Sequence, residues 1–272
     1  YIACEFASIF NNLGTKVTQL IRGDRLLNGF DKDLSSSLIK STISSGIDLK
    51  FRNQLRSIEK VNGNLECNLD TGYKLITNNI LIATGREPAL KPLSLDFLNL
   101  KMEGSYLEVN ELNQTSNPNI FAIGDVTNKP NLTPVAIEQG RVFADNFFNE
   151  QKRKVNYENI PKAVFTIPEI STVGLSEEIA KEIYSETNIK IFRCIFTPMS
   201  NTFKKYKSEC MLKLVVNSLN DKVLGCHMFG ESSAEIIQMV SISLNKGITK
   251  KDFDCTMALH PTVSEEFVTM YG

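Results

Sequence analysis

Two fold classes are predicted in series along this chain, an α/β arrangement first and an α+β arrangement after it. Three observations predict them. The chain opens on an apolar helix, a glycine stop and a β run, which is the second half of a βαβ unit. An apolar stretch ended by glycine and proline, ILIATGREP at 80–88, reads as a buried parallel strand closing that first part. From about Asn159 the pattern changes to five β runs with two helices among them, which argues for a mainly antiparallel sheet. The expected domains are 1–88, 89–158 and 159–272.

Taken in order, Tyr1 to Leu13 has helical spacing, with Ile2, Phe6, Ile9 and Phe10 on one face and Gly14 as the stop. Lys16 to Ile21 is a β run, and Arg22-Gly23-Asp24-Arg25 follows its end. In a dinucleotide-binding βαβ unit this strand end reads the adenosine ribose, with an acidic residue for NAD and arginine for the 2′-phosphate of NADP. Guanidinium forks at Arg22 and Arg25 therefore favour NADP. The bland reading is two solvated loop arginines. The chain starts at Tyr1 inside a helix, so it is expected to be a fragment whose N-terminal part, glycine-rich turn included, lies outside it.

A helix is predicted over Asp31 to Ser45, and β runs over Ile47 to Phe51, Leu55 to Val61, Leu65 to Leu69 and Asn79 to Thr84, the last ending at Gly85. After a connecting segment, Asn119 to Val126 reads as a buried strand stopping at Gly124-Asp125, and Leu132 to Arg141 as the start of a helix. Asp125 could accept hydrogen bonds from sugar-like hydroxyls, and the helix start at Thr133 offers unbonded N–H groups. The later β runs are Ala163 to Thr166, Ser171 to Gly174, Lys190 to Phe196, Cys210 to Asn217 and Lys222 to Met228. The helices among them are Glu177 to Thr187 and Ala234 to Lys246. His227, in an apolar strand, is read as structural.

Composition excludes some classes. A net charge of -1 with 42% hydrophobic residues gives no reason to expect nucleic acid or an anionic membrane as partner. The cysteines at 4, 67, 194, 210, 226 and 255 show neither a close pair nor metal-ligand spacing. They read as reduced thiols, and any redox dithiol lies elsewhere.

The C-terminal stretch ALHPTVSEEF at 258–267 carries one of only two histidines. Histidine as a residue type exchanges protons near neutral pH, and a carboxylate close by can hold its tautomer. His260 and Glu265 are thus candidates for an acid–base pair. The bland reading is a surface histidine at a helix start, with Ser264 and the glutamates as capping groups.

With these residues in view, the chain resembles the glutathione reductases, within the flavin-dependent disulfide oxidoreductases (class I pyridine nucleotide-disulfide oxidoreductase family). YIACEFASIF, IRGDR with GFD, ILIATGREP, IFAIGDV with LTPVAIEQGR, AVFTIPE with VGLSE, and ALHPTVSEEFVT carry the resemblance, in family order from end to end. It implies a partial Rossmann-like NADP-binding domain, a return segment of the FAD domain, and a C-terminal dimerisation domain. It implies that Tyr1, Ile2, Glu5, Arg22, Arg25, Gly85, Asp125 and Thr133 face the cofactors, with Glu5 paired to a lysine outside this chain. It further implies Arg141 as a contact of glutathione, His260 and Glu265 as the catalytic pair, and a cis His260–Pro261 bond. The family's second phosphate-binding arginine falls at Asn28, a departure that Arg25 is expected to offset.

The activity so implied is reduction of glutathione disulfide by NADPH through FAD, in a cytoplasmic homodimer whose active site is shared between subunits. The dithiol and the first FAD-binding turn lie outside this chain, so the fragment by itself is expected to be inactive and to hold FAD poorly. Alternatives left open are an NAD-dependent dihydrolipoamide dehydrogenase-like enzyme and a non-catalytic nucleotide-binding or dimerisation module.

Overall fold

A computed structural model of the chain describes residues 1–93, 97–149, 151–203 and 209–271. Residues 1–83 and 158–272 form one compact unit, and 84–157 form a second.

The first unit begins with helix α1 (Ile2–Asn12), strand β1 (Thr18–Ile21), helix α2 (Lys32–Ser44) and strand β2 (Asp48–Phe51). β1 and β2 pair in parallel, Thr18 opposite Asp48 and Ile21 opposite Phe51, which requires the α2 crossover between them. α1 buries Cys4, Ala7 and Ser8, whereas Phe6, Ile9 and Phe10 keep more than a third of their surface exposed. α2 starts where Asp31 accepts from the Asp33 amide at 3.0 Å, an N-cap that the sequence places well. A three-stranded antiparallel sheet follows, from β3 (Leu55–Val61), β4 (Asn64–Leu69) and β5 (Lys74–Thr77). β5 was not anticipated, because LysLeuIleThr is too short to show a period.

The expected strand at 79–84 does not form. That stretch makes no ladder among the described residues, and Leu81 and Ile82 are 53% and 68% exposed. Its all-apolar character suits a strand covered on both faces, but the described parallel sheet stops at two strands and offers it no partner.

In the second unit, β6 (Met102–Glu103) and β7 (Tyr106–Leu107) make a small hairpin, and α3 (Thr133–Phe148) follows later in the chain. The buried strand expected over 119–126 is replaced by a single bridge, Gln114 to Phe121, and a 3-10 turn at Gly124–Val126. Gly124 adopts φ +74°, which a strand excludes, and its amide is taken by a side chain rather than by a neighbouring strand. Phe121, Phe143 and Phe147 form an aromatic cluster under α3, with centroids 4.6–5.1 Å apart.

The chain then returns to the first unit with β8 (Lys162–Val164), β9 (Ile170–Gly174), α4 (Glu177–Tyr184), β10 (Ile189–Phe196), β11 (Cys210–Asn217), β12 (Val223–Phe229), α5 (Ser233–Leu244), α6 (Lys250–Asp254) and α7 (Glu266–Thr269). The strands form one antiparallel sheet in the order β10-β11-β12-β9-β8. All eight residues of β11 are buried, because both faces of the sheet are covered. Cys210, Leu212, Leu214 and Val216 point into a core with Ile237 and Leu244 of α5, Phe253 of α6 and Phe267 of α7. Met211 lies on the other face, in a core with Phe229, Ile170 and Leu34 and Leu38 of α2. Each such leucine contributes about 1.5–3 kcal/mol by leaving water. β9 and β12 come so close that a Cβ on Gly225 would sit 2.0 Å from the Leu175 carbonyl, so only glycine fits there.

Among the described residues, no helix is long and apolar enough to cross a membrane.

Candidate functional site

The constellation with the clearest chemistry is at the C-terminus. His260 Nδ1 lies 3.1 Å from both carboxylate oxygens of Glu265. Glu265 is held independently of the histidine. Its Oε1 accepts from the Thr262 amide at 3.2 Å, and its own amide donates to Thr262 Oγ1 at 3.2 Å. This reciprocal pattern is that of a capping box, formed here in the turn that precedes α7, whose own N-cap is Glu265. The capping contact and the contact with the imidazole, posed as rivals by the sequence, fall on the same carboxylate. With Nδ1 against the carboxylate, the tautomer that puts its proton there donates to Glu265 and leaves Nε2 as the ring nitrogen without a protein partner at this contact. The imidazole is 78% exposed and the Glu265 side chain 13%, so the ring is open to a reactant while its anchor is sheltered. The His260–Pro261 bond is cis, as is Ile167–Pro168.

A second constellation follows β1. Arg22 is exposed, and Arg25 is half-buried with its Nε donating to Asn28 Oδ1 at 3.2 Å. The departure from the family pattern at Asn28 therefore brings that residue to Arg25, whose guanidinium it orients. Two guanidinium groups on one short loop suit a phosphate monoester. At the other end of the βαβ half-unit, Tyr1 is exposed and Ile2 half-buried. Glu5 Oε1 accepts from the Phe165 amide at 2.8 Å, a partner on the strand side of the same unit.

The third lies within the second unit. Asp125 sits in the 3-10 turn with its carboxylate 3.2 Å from Arg86. The two residues share a cavity of about 150 Å³ with Tyr106 and Asn131. Gln139, wholly buried, holds the turn: its Oε1 accepts from the Gly124 amide at 2.6 Å and its amide donates to Tyr157 Oη at 2.9 Å. Thr133 opens α3, with Pro134 at the next position contributing no donor. Gly85, with φ +137°, precedes Arg86 in the backbone. Arg141 on α3 is 70% exposed, its guanidinium 4.0 Å from Glu138. An acceptor at Asp125, a donor at Arg86 and a helix start fit a polyhydroxylated, anionic cofactor such as FAD.

Sequence reasoning missed Gln139, Arg86 and the buried ions Asp31 and Lys213. Lys213 did leave a signal, a lysine inside the apolar run CMLKLVVN. Gln139 left none.

Neither the buried cysteines nor the half-buried Cys194 is a ready nucleophile. Burial pushes the Cys210 thiol up to about 12, and burial together with Glu266 pushes Cys194 up to about 11. All six cysteines are unpaired. Among the described residues no cluster of His, Cys, Asp or Glu could hold a metal ion.

The sequence pattern of the pyridine nucleotide-disulphide oxidoreductases matches residues 1–140, and the pattern of their dimerisation domain matches 160–271. The chain belongs to the pyridine nucleotide-disulphide oxidoreductase family. Within that family it is 44% identical to the glutathione reductase of Nostoc sp. (strain PCC 7120 / SAG 25.82 / UTEX 2576), over 99% of this chain and 62% of the relative. The glutathione reductase of Burkholderia cepacia is 42% identical, covering 99% and 60%. The chloroplastic/mitochondrial glutathione reductase of Pisum sativum is 41% identical, covering 99% and 49%. The HOCl-induced flavoprotein disulfide reductase RclA from Escherichia coli superposes with a TM-score of 0.85 at 25% identity, over 96% of this chain and 60% of its own. The chain thus spans about half to three-fifths of the length of these oxidoreductases.

Proposed function

We propose that the chain carries the coenzyme-reading, flavin-facing and proton-transferring parts of an NADPH-dependent glutathione-disulfide reductase. The observation that carries this reading is the His260–Glu265 pair, an exposed imidazole on a carboxylate fixed by reciprocal hydrogen bonds with Thr262. The names of the three relatives support the substrate.

FAD, when bound, supplies the electron path from NADPH to a disulfide. This chain's own residues bind the coenzymes and the substrate and move the proton. Arg22, with Arg25 turned by Asn28, binds the 2′-phosphate of NADP, and Gly85 lets backbone approach the coenzyme. Tyr1, Ile2 and Glu5 line the cofactor side of α1. Asp125 accepts from the ribityl hydroxyls of FAD, and Thr133 sets the start of α3 towards the flavin. Arg141 binds a carboxylate of glutathione. In thiol–disulfide exchange one sulfur–sulfur bond forms as another breaks, and glutathione leaves as a thiolate. His260 protonates that sulfur from Nε2, and Glu265 stabilises the imidazolium on the other side of the ring.

The reading includes a homodimer in which His260 serves the dithiol of the partner subunit. The match of 160–271 to a dimerisation domain supports the assembly. It also includes a reducing compartment, with the cytoplasm as expected location, in keeping with six unpaired cysteines.

The test is an assay on the full-length gene product. NADPH oxidation driven by glutathione disulfide, with little from NADH or lipoamide, is the expected result. NADH oxidation with lipoamide would favour the dihydrolipoamide dehydrogenase reading, and no turnover with any disulfide would favour a non-catalytic module.

A further inference from the structure

The unit made of 1–83 and 158–272 is joined across its middle by a buried ionic group. Lys213 Nζ lies 2.9 Å from Asp31 Oδ1, 2.8 Å from Asp33 Oδ2 and 2.7 Å from Glu177 Oε2, so each ammonium N–H has its own carboxylate. The Lys213 side chain is 1% exposed and that of Asp31 0%. Arg193 on Asp33 and Lys181 on Glu177 bring the cations to three, matching the three carboxylates. Asp31 also caps two helices with one side chain. Oδ1 accepts from the Asp33 amide in α2, and Oδ2 from the Glu177 amide in α4, each at 3.0 Å.

Asp31 is where the loop after β1 ends. That loop carries Arg22 and Arg25 and has positive φ at Leu27 and Gly29. Its start is tied to the segment after β2, where the Arg52 amide donates to the Gly23 carbonyl at 3.0 Å, and beyond Arg25 it is fastened at two further places. Leu26 is 3% exposed in the core that holds Met211 and Phe229, with its carbonyl taken by Ser35 Oγ at 2.6 Å. The other place is Asp31 itself. Both fastenings reach the antiparallel sheet, one to Met211 and one to Lys213, two residues apart on the same face of β11.

We infer that Lys213 and Asp31 are positioning residues for coenzyme selection: the dimerisation-domain sheet holds the loop that reads the 2′-phosphate. The inference rests on the coenzyme reading proposed above. Guanidinium–phosphate recognition depends on geometry held to about 0.5 Å. Slack in the loop therefore weakens NADPH, while NADH, which makes no 2′-phosphate contact, is little affected.

The experiment measures the dissociation constants of NADPH and NADH in the full-length holoenzyme. Lys213→Met leaves Asp31 buried without its cation, so the paired variant Lys213→Met/Asp31→Asn, which removes the buried charges together, is read alongside it. If the single variant unfolds, the paired one carries the test. The expected result is an NADPH constant raised about tenfold, roughly the loss of one charge-assisted hydrogen bond, with the NADH constant and kcat unchanged. Unchanged NADPH binding, or equal losses for both coenzymes, overturns the positioning role. Arg22→Met separates the two layers. If it too leaves the NADPH to NADH ratio unaltered, the coenzyme reading itself falls and takes this inference with it. If it alone alters the ratio, only the positioning role falls.

Discussion

Glu265 spends both of its oxygens on His260 and still accepts the Thr262 amide, so the orientation of the ring is set by the backbone at the start of α7. Removing the ring should therefore act on proton transfer and leave cofactor binding alone. In the full-length protein, His260→Gln is expected to leave flavin reduction by NADPH nearly intact in stopped-flow traces. Steady-state turnover of glutathione disulfide should fall by about 10²–10⁴-fold. Unchanged turnover would remove His260 from the mechanism. This pair was legible in the sequence because its members are close neighbours there, although the capping hydroxyl was read as Ser264 and the one that bonds the Glu265 amide is Thr262. Asn28 was legible only as a departure. That it turns Arg25 depends on a loop conformation that no residue pattern announces.

At the scale of elements, the 3-10 turn at Gly124–Val126 takes the place of an expected strand and is propped by Gln139 from α3. Gln139→Leu removes the partner of the Gly124 amide and of the Tyr157 hydroxyl, both half-buried, at a cost of about 0.5–1.5 kcal/mol for each lost hydrogen bond. A lower urea midpoint and faster loss of FAD fluorescence quenching on dilution are the expected outcomes. Unaltered values of both would show that the turn stands without Gln139. The longer helices and the strands of the antiparallel sheet were readable because their periods are local, whereas the five-residue α6 is too short to show one. The stretches at 79–84 and 119–126 misled because an apolar run reports burial demand and not the presence of a ladder partner. Lys213 and Asp31 were out of reach for a related reason: their pairing spans most of the chain, and sequence separation hides it.

For the whole molecule, the buried ions set how stability responds to pH. Burial works against ionising Asp31, yet nearby His227, the Glu177 amide and Lys213 outweigh it and hold the carboxyl below its usual range. Burial likewise opposes the charge on Glu177, and Lys181 and Lys213 overcome it. Burial pushes His227 down, against the pull of Asp31, so at neutral pH it is uncharged and Lys213 with the Glu177 amide carries the load on Asp31. Its Nε2–H then donates to the Leu175 carbonyl at 3.0 Å and its Nδ1 accepts from Thr172 Oγ1. All three groups have depressed folded values, so the folded state binds fewer protons in acid than the unfolded state does. Their contribution is whole above about pH 6.5 and is lost as pH falls, through the histidine range first and the carboxylate range below about 4. Lys213, raised by its carboxylates against the effect of burial, contributes fully below about 10.4 and loses it as pH rises beyond that. The urea-derived stability is thus expected to decline below about pH 6.5, by up to ~1.4 kcal/mol per pH unit from His227 alone. His227→Gln should flatten the curve between about 6.5 and 4.5, and an unchanged slope there would assign the decline to other groups.

The same knot of charge decides where the chain can be taken apart. A dimerisation domain expressed by itself from residue 159 would keep Lys213, Met211 and Phe229 but shed Asp31, Leu34 and Leu38, the groups that cover that face of the sheet. Such a piece would keep Glu177 as the one remaining carboxylate of the three on Lys213 and expose the apolar surface around it, and it should precipitate or swell where its antiparallel sheet alone looks self-sufficient. A dissection that keeps 1–83 together with 158–272, joined by a short linker, respects the unit that the chain itself makes. Sequence order invites the first cut, and the wiring of one buried ammonium argues for the second.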